Sequence, residues 1–173
     1  MYARLRSLWR DQRGTALLEG AIVTPVLCIL CFGVYEFSNF FYKQHLVSTG
    51  VRDAARYLGR ALNPKDPDAP TPITPSYSDA LPKARNLATR GTTDSSGALR
   101  VKGWNPADVS AVLTEFDNPP NELGQTPYNG PNPIYVVTVS TNFTPASLGF
   151  MGFFGFTDPP ISVAHQERVL GPR

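Results

Sequence analysis

The stretch Arg13–Tyr42 reads RGTALLEGAIVTPVLCILCFGVYEFSNFFY, and it decides how the rest of the chain is interpreted. From Ala16 to Tyr35, Glu19 is the only charged residue. An α-helix needs about 20 apolar residues to cross a bilayer. Glu19 and Glu36 would lie about 25 Å apart along such a helix, somewhat less than the hydrocarbon thickness of about 30 Å. We therefore predict one transmembrane helix over residues 15–42.

Residues 1–14 form a short basic leader with four arginines and one aspartate. The positive-inside rule places this leader in the cytoplasm. A secretory signal peptide is the alternative. The apolar run is longer than the core of such a signal, and no A-x-A-like site follows it, which favours a retained anchor. Because the rest of the chain is nearly neutral, its charge gives no support to nucleic-acid binding.

The predicted anchor has two features that a plain anchor does not need. Glu19 lies one turn inside the apolar segment, where a charged group normally has a partner. Every fourth residue there has a small side chain, as packed helices often do: Ala16, Gly20, Thr24 and Cys28. Pro25 lacks an amide hydrogen, so we expect a kink or a loosened turn. Two readings remain open: a helix-packing seam, or a chance pattern with Glu19 reaching the headgroups.

The segment RGTALLEGAIVTPVL resembles the N-terminus of TadE-like proteins, the pseudopilins of the Tad/Flp tight-adherence pilus system. In that family a basic leader ends in glycine, a glutamate follows five residues later, and the helix contains an early proline. The resemblance implies that Gly14 ends the leader, that Thr15 is the first mature residue, and that Glu19 and Pro25 are the family's glutamate and proline. It also implies cleavage by a prepilin peptidase at the cytoplasmic face. Gly20 departs from the aromatic residue often found there in the related pilin motif.

Beyond the membrane, residues 43–63 predict an amphipathic stalk helix that ends at Asn63-Pro64. Its apolar positions share one side of the helical wheel: Val47, Val51, Ala54, Ala55, Leu58 and Leu62. Arg52, Arg56 and Arg60 share the other side. This basic stripe is either a solvated face or a contact with lipid or a partner. The sequence VRDAARYLGR is also similar to the Arg- and Ala-rich stretch that follows the TadE membrane segment.

Residues 64–78 contain five prolines and predict an exposed, semi-rigid loop. A second helix is predicted from Ser78 or Asp79 through Arg90, with Asp79 as its cap and Gly91 as its stop. Residues 92–97 predict a turn.

Three strands are predicted in the last third of the chain: Val109–Phe116, Ile134–Phe143 and Ile161–Leu170. They would form a small antiparallel sheet whose apolar face the stalk or the second helix covers. The last strand also resembles the closing strand of the TadE-like family. We therefore predict an α+β fold, in which residues 79–173 form a small periplasmic domain.

The segment between the last two predicted strands is rich in phenylalanine over residues 150–156. It either folds back as core, lies on the membrane surface, or forms a subunit interface. Its glycines at three-residue spacing are not a phosphate-binding loop, since no lysine or hydroxyl residue follows at the required spacing.

No catalytic, metal or cofactor constellation is found in the sequence. Cys28 and Cys31 lie in the apolar run without a second ligand pair, so we interpret them as small apolar residues. His45 and His165 are isolated from any catalytic motif and are interpreted as structural. We therefore expect no enzyme and no cofactor.

These patterns lead to one functional interpretation and one alternative. By resemblance, the chain is a minor pseudopilin of a Tad-type machine, held in the bacterial inner membrane with its N-terminus in the cytoplasm. Its partners would be other pilins or pseudopilins, the Tad assembly machinery, the prepilin peptidase and the lipid bilayer. The alternative is a membrane-anchored periplasmic binding module that never enters a filament.

Overall fold

A computed structural model describes residues 13–71, 74–145, 152, 155 and 159–172, and the structural statements below concern those residues. The leader predicted over residues 1–14 therefore lies outside them except at its end, and so does most of the phenylalanine-rich segment 150–156. The chain divides into two compact units. The first contains the helix up to Phe40, and the second begins at Phe41 and contains the rest of that helix together with the sheet.

The architecture is α+β, as the sequence predicts. A long helix α1 (Arg13–Ala61) is followed by α2 (Tyr77–Arg90), a 3₁₀ turn (Pro106–Asp108) and three strands. The strands are β1 (Val109–Phe116), β2 (Ile134–Phe143) and β3 (Ile161–Arg168). They form one antiparallel sheet in the order β1–β2–β3.

The bounds of β1 and β2 are confirmed, whereas β3 ends two residues before the predicted Leu170. The N–H of Val169 still donates to the carbonyl of Tyr135 across the sheet. The N–H of Leu170 instead donates to the carbonyl of Gly59 in α1, at 2.7 Å. β3 therefore ends where the hydrogen-bond partner of its backbone changes from β2 to α1.

The stalk part of α1 supplies much of the core of the second unit. All six predicted apolar positions have no exposed surface: Val47, Val51, Ala54, Ala55, Leu58 and Leu62. The three arginines of the opposite side are exposed. Helical periodicity alone was enough to separate these two faces, because successive residues of a helix are rotated by about 100°.

Both helices contact the sheet. Gly59 of α1 lies against β3, where an added Cβ atom would be 3.0 Å from the carbonyl oxygen of Arg168. From α2, the Tyr77 hydroxyl donates to the carbonyl of Ala111 in β1 at 2.8 Å, and Arg85 donates to the carbonyl of Val109 at 2.9 Å. The sequence left open whether the stalk or the second helix covers the sheet, and in the structure both helices contact it.

The predicted cap of α2 is wrong, although the predicted stop is confirmed. Ser76 is the N-cap, and its hydroxyl accepts the N–H of Asp79 and donates to the carboxylate of Asp79 at 2.8 Å. Asp79 therefore stands three residues inside the cap, where its charge also favours the helix N-terminus. Gly91 adopts a φ of 80°, the left-handed conformation that ends helices and that glycine adopts without strain.

Trp104 is the largest fully buried side chain of the described residues, and no local sequence pattern predicts it as a core residue. Its indole N–H donates to the hydroxyl of Thr141 at 2.9 Å, and its ring stacks on Phe143 with centroids 5.8 Å apart. Gly50 of α1 lies directly against this ring and against the backbone of Ala88 in α2. Trp104 therefore joins the stalk, the second helix and the sheet.

The connection between β1 and β2 is organised by a buried asparagine. The side chain of Asn118, fully buried, accepts the N–H of Tyr128 and donates to the carbonyls of Tyr128 and Pro131. These bonds satisfy a polar group that would be costly to bury unpaired. Residues 119–130 are exposed, yet Asn118 gives this stretch a defined conformation.

Candidate functional site

The first unit presents an apolar helix that nothing in the described chain covers. Within the described residues, α1 is the helix long and apolar enough to cross a membrane, and its most apolar window is entirely exposed. Large side chains such as Leu17, Ile22 and Leu30 expose 60% or more of their surface. Such a surface is unfavourable in water and favourable in lipid or against another helix.

All the residues that the sequence singles out lie on this exposed segment: Gly14, Thr15, Ala16, Glu19, Gly20, Thr24 and Pro25. The helix runs through Pro25 without a break, so the expected weakening there does not interrupt the element.

The small side chains form a continuous strip, because residues four apart lie on one face of a helix. An added Cβ atom at Gly20 would meet nothing within 4 Å, so the strip is open to a neighbouring helix. Glu19 follows Ala16 by three residues and therefore lies beside this strip. Among the described residues, its carboxylate has no hydrogen-bond or ion-pair partner.

In the described part of the second unit, charged groups lie close together in three places. At the first, Nε of Arg56 lies 3.6 Å from Oε1 of Glu167 in β3, and Nε2 of His165 lies 3.5 Å from the same oxygen. A separate and closer pair joins Arg100 to Asp53 of α1 at 2.8 Å. This pair fastens the segment after α2 to the stalk.

The third place is the surroundings of the Tyr135 side chain. Burial raises the pKa of Tyr135, and the negative charges of Glu115, Asp66 and Asp68 raise it further. Glu115 stands opposite Tyr135 in the β1–β2 register. The sequence could not reveal this group, because it depends on the strand register and on the path of the proline-rich loop.

The described residues offer no cluster of three or more His, Cys, Asp or Glu side chains that could hold a metal ion. Cys28 and Cys31 are free thiols on the exposed apolar part of α1, and His45 is exposed. This segment is suited to packing, because it combines an apolar surface, a strip of small residues and a carboxylate that has no partner among the described residues.

Comparison with protein families gives one match for the N-terminal part of the chain. The model of the family described as TadE-like protein matches residues 14–56, which cover the exposed apolar segment and most of the stalk. Searches of curated proteins and of solved structures found no match.

The match covers about a quarter of the chain, and it shows that the N-terminal segment is similar to this family. The matched residues include the apolar part of α1, the candidate membrane span of the described chain. Residues 14–56 are therefore similar to the TadE-like family, which confirms the resemblance that the sequence predicts.

Proposed function

We propose that this chain is a minor pseudopilin of a Tad-type pilus or secretion machine. It resides in the bacterial inner membrane, with its N-terminus in the cytoplasm and its C-terminal domain in the periplasm. It contributes to pilus biogenesis and adherence by packing α1 against other pilin-like subunits. Its role is structural rather than enzymatic.

One observation carries this proposal: Glu19, which has no partner among the described residues, lies beside an open strip of small residues in a segment that matches the TadE-like family. A carboxylate at membrane depth costs free energy unless it is paired. The small residues let a second backbone approach closely enough to supply that partner.

Proteolytic processing would create a suitable partner for Glu19. Cleavage after Gly14 removes the basic leader and leaves a positively charged amine on Thr15. In a bundle of helices, the amine of one subunit can then compensate the carboxylate of Glu19 in its neighbour. A buried charge pair of this kind specifies register, since leaving either charge unpaired is unfavourable.

Sequencing from the amino end tests the processing step. The full chain is co-expressed with a prepilin peptidase and purified from membranes before its N-terminal sequence is determined. We expect Thr15 as the first residue. A Gly14→Val variant should retain its leader, whereas Gly33→Val, the same change far from the cleavage point, should be processed normally. An anchored binding module would instead keep Met1, or lose only that residue.

Cysteine cross-linking tests the packing step. In a background with Cys28→Ser and Cys31→Ser, we expect a cysteine at Gly20 to form cross-links to a neighbouring helix. A cysteine at Ile22, on the opposite side of the helix, is the matched control and should form far fewer. Equal yields at both positions would contradict the proposed seam.

A further inference from the structure

Arg52, Arg56 and Arg60 form an arginine stripe on the solvent side of the stalk. They recur every four residues, so each guanidinium repels the next along one helix face. Of these three arginines, only Arg56 forms an ion pair within the described chain, 3.6 Å from Glu167, and its side chain is 59% exposed. Among the described residues, Arg52 and Arg60 have no hydrogen bond or ion pair. The stripe therefore has two positive charges, those of Arg52 and Arg60, that the described chain does not compensate.

Asp66, Asp68 and Glu115 form an acidic patch around Tyr135. Glu115 is held there by the strand register, and the loop that carries the two aspartates is fixed by a 3.0 Å hydrogen bond from the Tyr77 N–H to the Pro67 carbonyl. Asp66 accepts backbone N–H groups of its own loop, which do not neutralise its charge. Within the described chain, none of the three carboxylates forms an ion pair.

The patch includes Glu115 of β1, while the stripe approaches Glu167 of β3, and β2 separates these strands. The stripe and the patch carry opposite charges, so the stripe of one molecule can meet the patch of another. A contact between two different surfaces of identical chains leaves one of each free, so it can repeat along an assembly.

We propose that the arginine stripe of one copy docks on the acidic patch of a second copy, aligning successive periplasmic domains side by side. Three cations facing three anions make the second copy a complementary partner. This inference rests on the proposed pseudopilin function for the membrane packing that brings copies together, and it adds a contact outside the membrane.

Cross-linking between two differently tagged copies of the full chain in membranes tests this contact. In the Cys28→Ser, Cys31→Ser background, one copy carries Arg56→Cys and the other carries Pro70→Cys, an exposed position two residues after Asp68. A short bis-maleimide should join the two tags in one band. The yield should fall with rising salt, because exposed charge pairs are screened.

Charge reversal decides whether the two surfaces meet. Arg52→Glu with Arg60→Glu in the first copy should abolish the band, and Asp66→Lys with Asp68→Lys in the second copy should restore it. Lys83→Glu with Lys102→Glu makes the same change of net charge at two other exposed positions and should leave the band intact. A band that survives the arginine reversal, or one that the second reversal does not restore, overturns the proposal.

A Gly20→Cys variant, cross-linked in parallel samples, measures the membrane packing by itself. It therefore separates this inference from the proposed function. A cross-link at Gly20 without one between the domains refutes the stripe–patch contact and leaves the membrane packing standing. Absence of both cross-links refutes both.

Discussion

Replacement of Gly50 by alanine should destabilise the second unit, although alanine is the better helix former. A Cβ atom at this position would overlap the carbonyl oxygen of Ala88 and lie 2.8 Å from Cη2 of Trp104. The carbonyl belongs to the backbone of α2, so it cannot rotate away. The two helices and the indole must therefore separate to admit one methyl group.

The size of the effect follows from two opposing contributions. Overpacking a well-packed core by a methyl group costs about 3 kcal/mol when backbone has to move. Removing a glycine from a helix interior contributes about 1 kcal/mol in the other direction. The net loss in free energy of unfolding is about 2 kcal/mol, which corresponds to roughly 8 °C in Tm at about 4 °C per kcal/mol.

Thermal unfolding of the detergent-solubilised full chain, followed by tryptophan fluorescence, measures this loss. Gly33→Ala is the matched control, because an added Cβ at Gly33 meets nothing within 4 Å. We expect its Tm to equal that of the parent chain or exceed it slightly. A Gly50→Ala chain as stable as the control would refute the close approach of α1, α2 and Trp104.

Three further changes test other parts of the second unit. A double-mutant cycle with Trp104→Phe and Thr141→Val should give a coupling of about 1 kcal/mol in urea unfolding, the value of one buried hydrogen bond; a coupling near zero would contradict the bond at 2.9 Å. Asn118→Ala should cost about 1–3 kcal/mol and accelerate proteolysis within residues 119–130, because three backbone groups lose their partner; unchanged protection would refute its anchoring role. The Ser96 hydroxyl and amide lower the pKa of Asp94, so the stability that Asp94 contributes is present above its unfolded pKa of about 3.9 and disappears as the pH falls through the lower folded value. Asp94→Ala should therefore be less stable than the parent at pH 6, and this difference in stability should shrink as the pH falls below about 3.9; a difference that stays constant with pH would contradict this reasoning.

The elements that the sequence predicts well are those with a strong local period. The buried face of the stalk repeats with the helical period, and β2 combines β-branched residues with near-alternation, so both appear in the structure as expected. The strip beside Glu19 is likewise visible from spacing alone, because it lies on a single helix.

The features that the sequence does not predict depend on contacts between distant residues. Trp104 is separated from Thr141 by 37 residues, and Gly50 gives no sign in the sequence that a ring will pack on it. Ser76 was missed as the cap of α2 because two acceptable caps stand close together, and only the backbone conformation decides between them. The acidic patch needs both the strand register and the course of a loop.

Co-assembly of a Glu19→Ala chain tests the central claim most directly. Wild-type and variant chains are expressed at equal levels with the other pilin-like subunits, and their amounts in purified pili or in the cross-linked assembly complex are compared, with Glu36→Ala as the matched control. The account predicts that Glu19→Ala is inserted in the membrane but lost from the assembly, while the control is retained. Incorporation of Glu19→Ala at the wild-type level would contradict the account.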